Sequence, residues 1–297
     1  MSPFGTSAPD LRGRVGGALF ARVAGPAGQE NRARIHDTPG PRWFEADRPV
    51  RTVHGDASMF IGGLRALLLQ SLHPLAMAAV AAHSGYRGDP WGRLQRTSTF
   101  LAMTTYGTAD DAQAAVDRVR AVHEGIRGRT ASGEAYHAAD PHLLGWVHAA
   151  EVDSFLMAHQ RYGADPLDGA GLDGYVADTA HVAEALGVVD PPRTREELTA
   201  VLTAYRPELR PTREALEAAH FILHHPPLPL VARPPYAVLA ANAIVTLPPW
   251  ARTALRVRPP PLLPEACVEP AGRLLTRTIR WAMPPAPPLT TSGANAG

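Results

Sequence analysis

Helix punctuation is the feature that most restricts how this chain can fold. Asp89-Pro90 and Asp140-Pro141 each set a capping carboxylate before a proline, which suits the first turn of a helix and not its interior. The first pair predicts a helix through about Tyr106, stopped by Gly107, and the second a helix to about Tyr162, closed by Gly163. Thr108 caps the helix between them, amphipathic through Val116, Val119, Val122 and Ile126 and ending at Gly128. Upstream, a helix is expected from Ala57 to Leu72, with Leu64, Leu67, Leu68 and Leu72 on one face. His73-Pro74 restarts it as a second helix from Leu75 to His83, ended by Ser84-Gly85. Further helices are expected at 173–187, 194–206, 211–225, 236–247 and 265–282, separated by proline-rich joints. No strand alternation stands out. Ala and Leu prevail over the β-branched and aromatic residues that strands prefer. The expected fold is therefore all-α, a single-domain multi-helix bundle. Residues 1–40 read as a partly disordered N-terminal arm, 41–283 as the helical domain and 284–297 as a disordered tail.

Charge and cysteine content remove several function classes. The 29 basic residues are all arginine, 28 acidic residues nearly balance them, and the net charge of +1 argues against a nucleic-acid surface. A single cysteine, Cys267, excludes an intrachain disulfide framework and multi-cysteine metal sites. The uncharged stretches Ala66–Tyr86 and Pro234–Ala251 are broken by polar residues or prolines, so no transmembrane span is expected. The N-terminal residues show neither a secretory pattern nor a twin arginine, and a cytoplasmic location is expected. Zinc-protease, nucleophile-elbow, Walker and dinucleotide-binding patterns are all missing.

Thirteen histidines carry the remaining chemistry. His220, His224 and His225 include the i, i+4 spacing of a metal pair, and Glu217-x-x-His220 has a di-iron spacing without its second half. Their place before Pro226 favours a helix-terminal role, where imidazolium meets the dipole. A broader constellation spans three successive helices. Arg93, Arg96 and Thr97 share one side of the first. His123 falls on the Val116–Val119 stripe of the second, flanked by Arg120 and Arg127. His148 is in register with Leu144, Val152 and Phe155 on the third. Such groups aimed into an apolar interior must be paired or bound to something. The spacing equally accommodates paired core residues, with Arg93 on Glu151 or Asp153 and His148 on a carbonyl.

The ordered series adds a family resemblance. It comprises His73-Pro74, His83-Ser84-Gly85-Tyr86, Asp89 to Thr97, His123-Glu124-Gly125-Ile126-Arg127-Gly128, Tyr136 to Pro141 and Trp146-Val147-His148-Ala149. Over about residues 40–250 it resembles the family of the rubber oxygenase (latex-clearing protein) and the MpaB-type oxygenase. That resemblance implies a globin-like helical core around haem b, with dioxygen as co-substrate. It implies His123 as the iron ligand, with Arg93 and Thr97 near the haem. Arg96 beside them is expected at the catalytic side, Arg120 and Arg127 about the cofactor from their closeness to His123, and His148 there from its inward register. Where rubber-cleaving members carry a lysine before the threonine, this chain has Arg96, which cannot deprotonate to ligate iron. A small apolar substrate, such as an alkene, is expected in place of polyisoprene. Two alternatives differ in class. One is haem or small-ligand binding without turnover. The other is a non-haem metal site on His83, His123 and His148, with Glu151 as a further ligand.

Overall fold

Caps and prolines set the helix starts where the backbone needs them. The computed structural model describes residues 11–85, 88–259 and 265–283. These residues run α1 (Leu11–Ala24), α2 (Gly28–Asp37), α3 (Pro49–His54), α4 (Met59–Gln70), α5 (Pro74–His83), α6 (Pro90–Tyr106) and α7 (Ala109–Glu124). A short hairpin follows, β1 (Arg127–Arg129) and β2 (Ala135–His137). The chain then continues through α8 (Pro141–Tyr162), α9 (Gly169–Leu186), α10 (Arg195–Tyr205), α11 (Arg213–His224), α12 (Arg233–Thr246), α13 (Pro249–Leu255) and α14 (Glu265–Ala282). The fold is all-α and a single domain, as expected.

The predicted caps are formed. The Asp89 carboxylate accepts from Gly92 N at 2.8 Å, Thr108 Oγ1 from Asp111 N at 3.2 Å, and Asp140 from His142 N at 2.9 Å. Thr194 and Glu197 complete a reciprocal capping box at α10. Three expectations need correction. Residues 11–37, read as part of an arm, contain α1 and α2, and α1 packs on α6 and α14. α7 stops at Glu124, four residues early, because the backbone enters the hairpin, which pairs Gly128 with Tyr136. Strands of three residues are too short to show alternation. The predicted α4 stripe is also rotated: Leu67 is 37% exposed, and the buried face runs through Ile61, Arg65, Leu68, Leu69 and Leu72. The expected disorder of residues 284–297 lies outside the described residues.

The centre is α4 against α8, with α12 on the other flank of α4. Gly62 permits that approach, since a Cβ there would meet the Phe155 ring and backbone. Inside this contact lies Arg65, 1% exposed. It donates to Ser154 Oγ at 2.6 Å and Thr246 O at 3.0 Å, and pairs with Asp153 at 2.7 Å. Among the described residues no single helix is long and apolar enough to cross a membrane. Two bent pairs, α4 with α5 at 108° and Leu230–Thr246 with α13 at 119°, pass on length and composition together.

Candidate functional site

Much of the motif series builds scaffold. The Asp89 carboxylate occupies the space a Cβ at Gly92 would need, and the Tyr136 phenol lies where a Cβ at Gly128 would project. Trp146 is wholly buried and donates from Nε1 to Gln70 O at 3.1 Å. His83 Nε2 sits 3.2 Å from Tyr136 Oη, and Arg93 donates to Ser84 Oγ at 3.2 Å, fastening α6 to the end of α5. These glycines and aromatics explain the spacing of the series without chemistry. Tyr86, one member of it, lies outside the described residues.

His123 differs from them. It stands on the last turn of α7, half-buried, and its Nδ1 is enclosed without a hydrogen-bond partner. Two effects compete for its charge. A helix C-terminus favours imidazolium, whereas burial and the neighbouring His137 disfavour it. Burial and His137 prevail, holding the ring below its ordinary pKa of 6.5 and so neutral at pH 7. A neutral imidazole with an unengaged nitrogen can serve as a metal ligand.

Apolar side chains on α5, α6 and α7 stay partly or wholly uncovered. Val122 on α7 is 60% exposed and Leu94 on α6 is 39% exposed, while Val119 and Leu101 are half-buried. On α5, Ala81 and Ala82 are exposed although the segment is apolar throughout. Val122 was expected on a buried stripe and is not there. Arg96 and Thr97 likewise lie at the surface, not in the interior, with Arg93 half-buried between the two settings. Arg96 reaches Asp89 at 3.5 Å. Arg120 donates to Ala185 O at 3.3 Å and Arg127 approaches Glu124 at 3.5 Å, both from exposed positions. α6 packs on α7, and α7 and α8 both pack on α9, so the three motif helices are neighbours through these contacts.

A second, buried set joins α3, α6, α8 and α9. His54 places Nδ1 2.8 Å from Thr105 Oγ1 and Nε2 3.2 Å from Tyr175 Oη. On α8, His148 and Glu151 stand three apart on one face, and His148 Nε2 is buried without a partner. Asp153 pairs with Arg65, and no carbonyl bond is formed at that His148 nitrogen. Burial lowers both His54 and His148 to about 4. Burial raises Glu151 to about 7, opposed by a hydrogen bond from Gln70. His54, Tyr175 and Thr105 escaped the sequence reading because their partners come from helices far apart in the chain.

These shifts have opposite consequences for stability. The histidines bind fewer protons folded than unfolded, so their contribution is complete above pH 6.5 and is lost as pH falls through about 4. Glu151 is raised, so its contribution is complete below pH 4.5 and is lost as pH rises through about 7. In the folded protein only Glu151 of these three titrates between pH 6.5 and 8, whereas in the unfolded chain the two histidines still shed protons there. Glu151→Gln removes the one group of the three that opposes a rise of stability with pH, so its stability should climb more with pH across that interval than that of the unmodified protein, measured by urea denaturation at each pH. An unchanged slope in the variant would contradict a carboxyl held neutral there.

The histidine clusters sort differently from expectation. His225 Nε2 lies 3.2 Å from His220 Nε2, but His220, His224 and His225 are all exposed at the end of α11. His83, His123 and His148 do not form a metal-ligating group. Among the described residues the group whose donor atoms meet is His73, His142 and Glu208, all within 4.8 Å of one another. The reason is topological: His83 is turned to Tyr136, and His148 lies on the α8 face shared with Glu151.

Comparison with known proteins adds the class. A family model describing an oxygenase catalytic domain matches residues 51–281, well over half of the chain. The chain belongs to that family, the ER-bound oxygenase mpaB/B'/rubber oxygenase catalytic domain. Similar curated proteins are the uncharacterized protein Mb2261 of Mycobacterium bovis and the uncharacterized protein Rv2237 of Mycobacterium tuberculosis. Each is 33% identical over 100 residues, 33% of this chain and 38% of the relative. The chain thus spans well under half the length of the curated relatives it matches. No solved structure matches it.

Proposed function

We propose that this protein is a haem b-dependent oxygenase acting on a small apolar, alkene-containing substrate, with His123 as the protein ligand to iron. The observation that carries this reading is the neutral imidazole of His123 with an unengaged, enclosed nitrogen, inside the motif series of an oxygenase family. The residues present fit the group. Val122 on α7 and Leu94 on α6 offer apolar surface that the fold leaves uncovered, with Val119 half-buried one turn from Val122. The exposed guanidinium groups of Arg120 and Arg127 match carboxylates bidentately and would hold propionates. When bound, haem would supply iron for dioxygen chemistry.

The chain's own residues bind and orient. Thr97 offers a hydroxyl one turn from Arg93, and Arg93, fixed through Ser84, presents a permanent positive charge on the same side of α6. Arg96 brings charge but no nitrogen able to ligate, so it would leave the iron to other residues and add only its charge beside the bound group. His148, neutral and with its own unpartnered nitrogen, lies deeper and would border the cofactor. Helices α4 to α9 would then form a globin-like core around that group. The same reading includes a cytoplasmic setting, which cell fractionation tests directly.

Untagged protein produced with a haem precursor should purify with a Soret band and equimolar porphyrin and iron. It should consume dioxygen with at least one member of a panel of apolar alkenes. Haem binding without oxygen consumption would reduce the function to ligand binding. Protein that stays colourless after titration with haemin would overturn the proposal.

A further inference from the structure

The group His73, His142 and Glu208 lies apart from the residues assigned to haem and answers to different elements. His73 is the residue before Pro74 at the start of α5, His142 is in the first turn of α8, and Glu208 is in the 3-10 turn after α10. His73 is 2% exposed, yet neither of its ring nitrogens has a hydrogen-bond partner. Its Nε2 lies 3.4 Å from Glu208 Oε2 without forming a hydrogen bond to it. His142 Nε2 approaches the same oxygen at 2.8 Å. A buried imidazole left unsatisfied beside a carboxylate and a second imidazole is costly unless something occupies the space between them.

We infer that His73, His142 and Glu208 form a divalent transition-metal site, of the class that takes Zn²⁺. Two imidazoles and a carboxylate are a donor set for that ion. Ligands at about 2.0–2.2 Å in tetrahedral geometry stand about 3.3 Å apart. His73 to Glu208 already meets that spacing, the His142–Glu208 contact must open, and the His73 and His142 nitrogens, within 4.8 Å of one another, must settle to the same separation. Three protein ligands leave a fourth position for water. The ligand backbones are independently fixed: Arg210 N donates to Leu72 O at 2.9 Å, and Tyr205 Oη donates to His142 O at 2.7 Å. Arg210, the nearby cation, extends to Glu134 at 3.5 Å. The metal would fasten α5, α8 and the end of α10 together at the 108° bend between α4 and α5. It therefore acts as a staple on the scaffold, and does not depend on the haem reading.

The test uses untagged full-length protein, haem-free, stripped with a chelator and titrated with Zn²⁺ alone by calorimetry and elemental analysis. One Zn²⁺ per chain is expected, with a higher melting temperature on binding. Removing His73 leaves a buried void, so the exposed partners give the cleaner variants. His142→Ala and Glu208→Gln should each weaken binding on the order of a hundredfold or more while circular dichroism stays unchanged. The exposed His220 and His225 are the internal competitor, and His225→Ala should leave the affinity as it was. No retained Zn²⁺ in the unmodified protein would overturn the assignment. So would affinity that survives both ligand variants, or that disappears with His225→Ala. Haem incorporation by the same variants is scored separately from the Soret band, so failure of one reading does not disguise failure of the other.

Discussion

Asp153→Ala is expected to destabilise the fold by about 3–5 kcal/mol, and by more than Arg65→Met at the other end of the same ion pair. The two ends differ in their access to water. Arg65 has a side chain 2% exposed, while Asp153 is 25% exposed. Without Asp153, a permanent guanidinium charge stays between α4 and α8 with only Ser154 Oγ and Thr246 O to share it. Arginine cannot escape by losing its proton. Without Arg65, the carboxylate can turn to solvent, and methionine refills much of the volume with flexible apolar bulk. For a chain of this size the Asp153 variant should lose on the order of 10 °C in melting temperature. Chemical denaturation of both variants checks the order. Equal losses, or a larger loss for Arg65→Met, would mean that packing and not the stranded charge dominates the site.

Arg65 also shows where sequence reasoning ended. Local signals were sufficient for α6, α7, α8 and α10, because a capping side chain and its target amide lie within four residues of each other. They failed for α3 and α13, which are only six and seven residues long and too short to declare a period. Which face of α4 is buried is decided by α8 and α12, and nothing local to Leu64–Leu72 records their positions. An arginine inside an apolar run reads as an exposed residue until its partners Asp153, Ser154 and Thr246 are brought alongside from as far as 181 positions away.

The site divides along the same line. Position within one helix was legible: His123 near Val116 and Val119, and His148 near Val152 and Phe155. Contacts between helices were not. His73 was visible only as a restart before a proline, and its meeting with His142 and Glu208 depends on the bend at that proline and on the turn after α10. Arg96 and Thr97 share a side of α6 as spaced, but whether that side faces inward depends on what else covers it.

His123→Ala is the variant on which the haem proposal turns, and it is expected to purify with less than about a tenth of the haem of the unmodified protein. The His123 nitrogen would supply a directional bond to iron, whereas apolar contact alone is non-directional. The fold should survive. The ring is half-buried at the end of α7, it makes no hydrogen bond through Nδ1, and its loss opens space next to the already exposed Val122. Soluble imidazole added during reconstitution should restore the Soret band in His123→Ala, because a free ring can refill the position. A merely structural histidine would not be rescued in this way. His148→Ala is the control from the neighbouring buried set, since it too is neutral with an unpartnered nitrogen. Because it would border the cofactor without bonding to iron, it should retain several times more haem than His123→Ala. If His148→Ala loses haem and His123→Ala keeps it, the ligand moves from α7 to α8 and the exposed apolar surface of α6 and α7 needs another occupant. If neither variant loses haem, the histidine ligand itself is wrong.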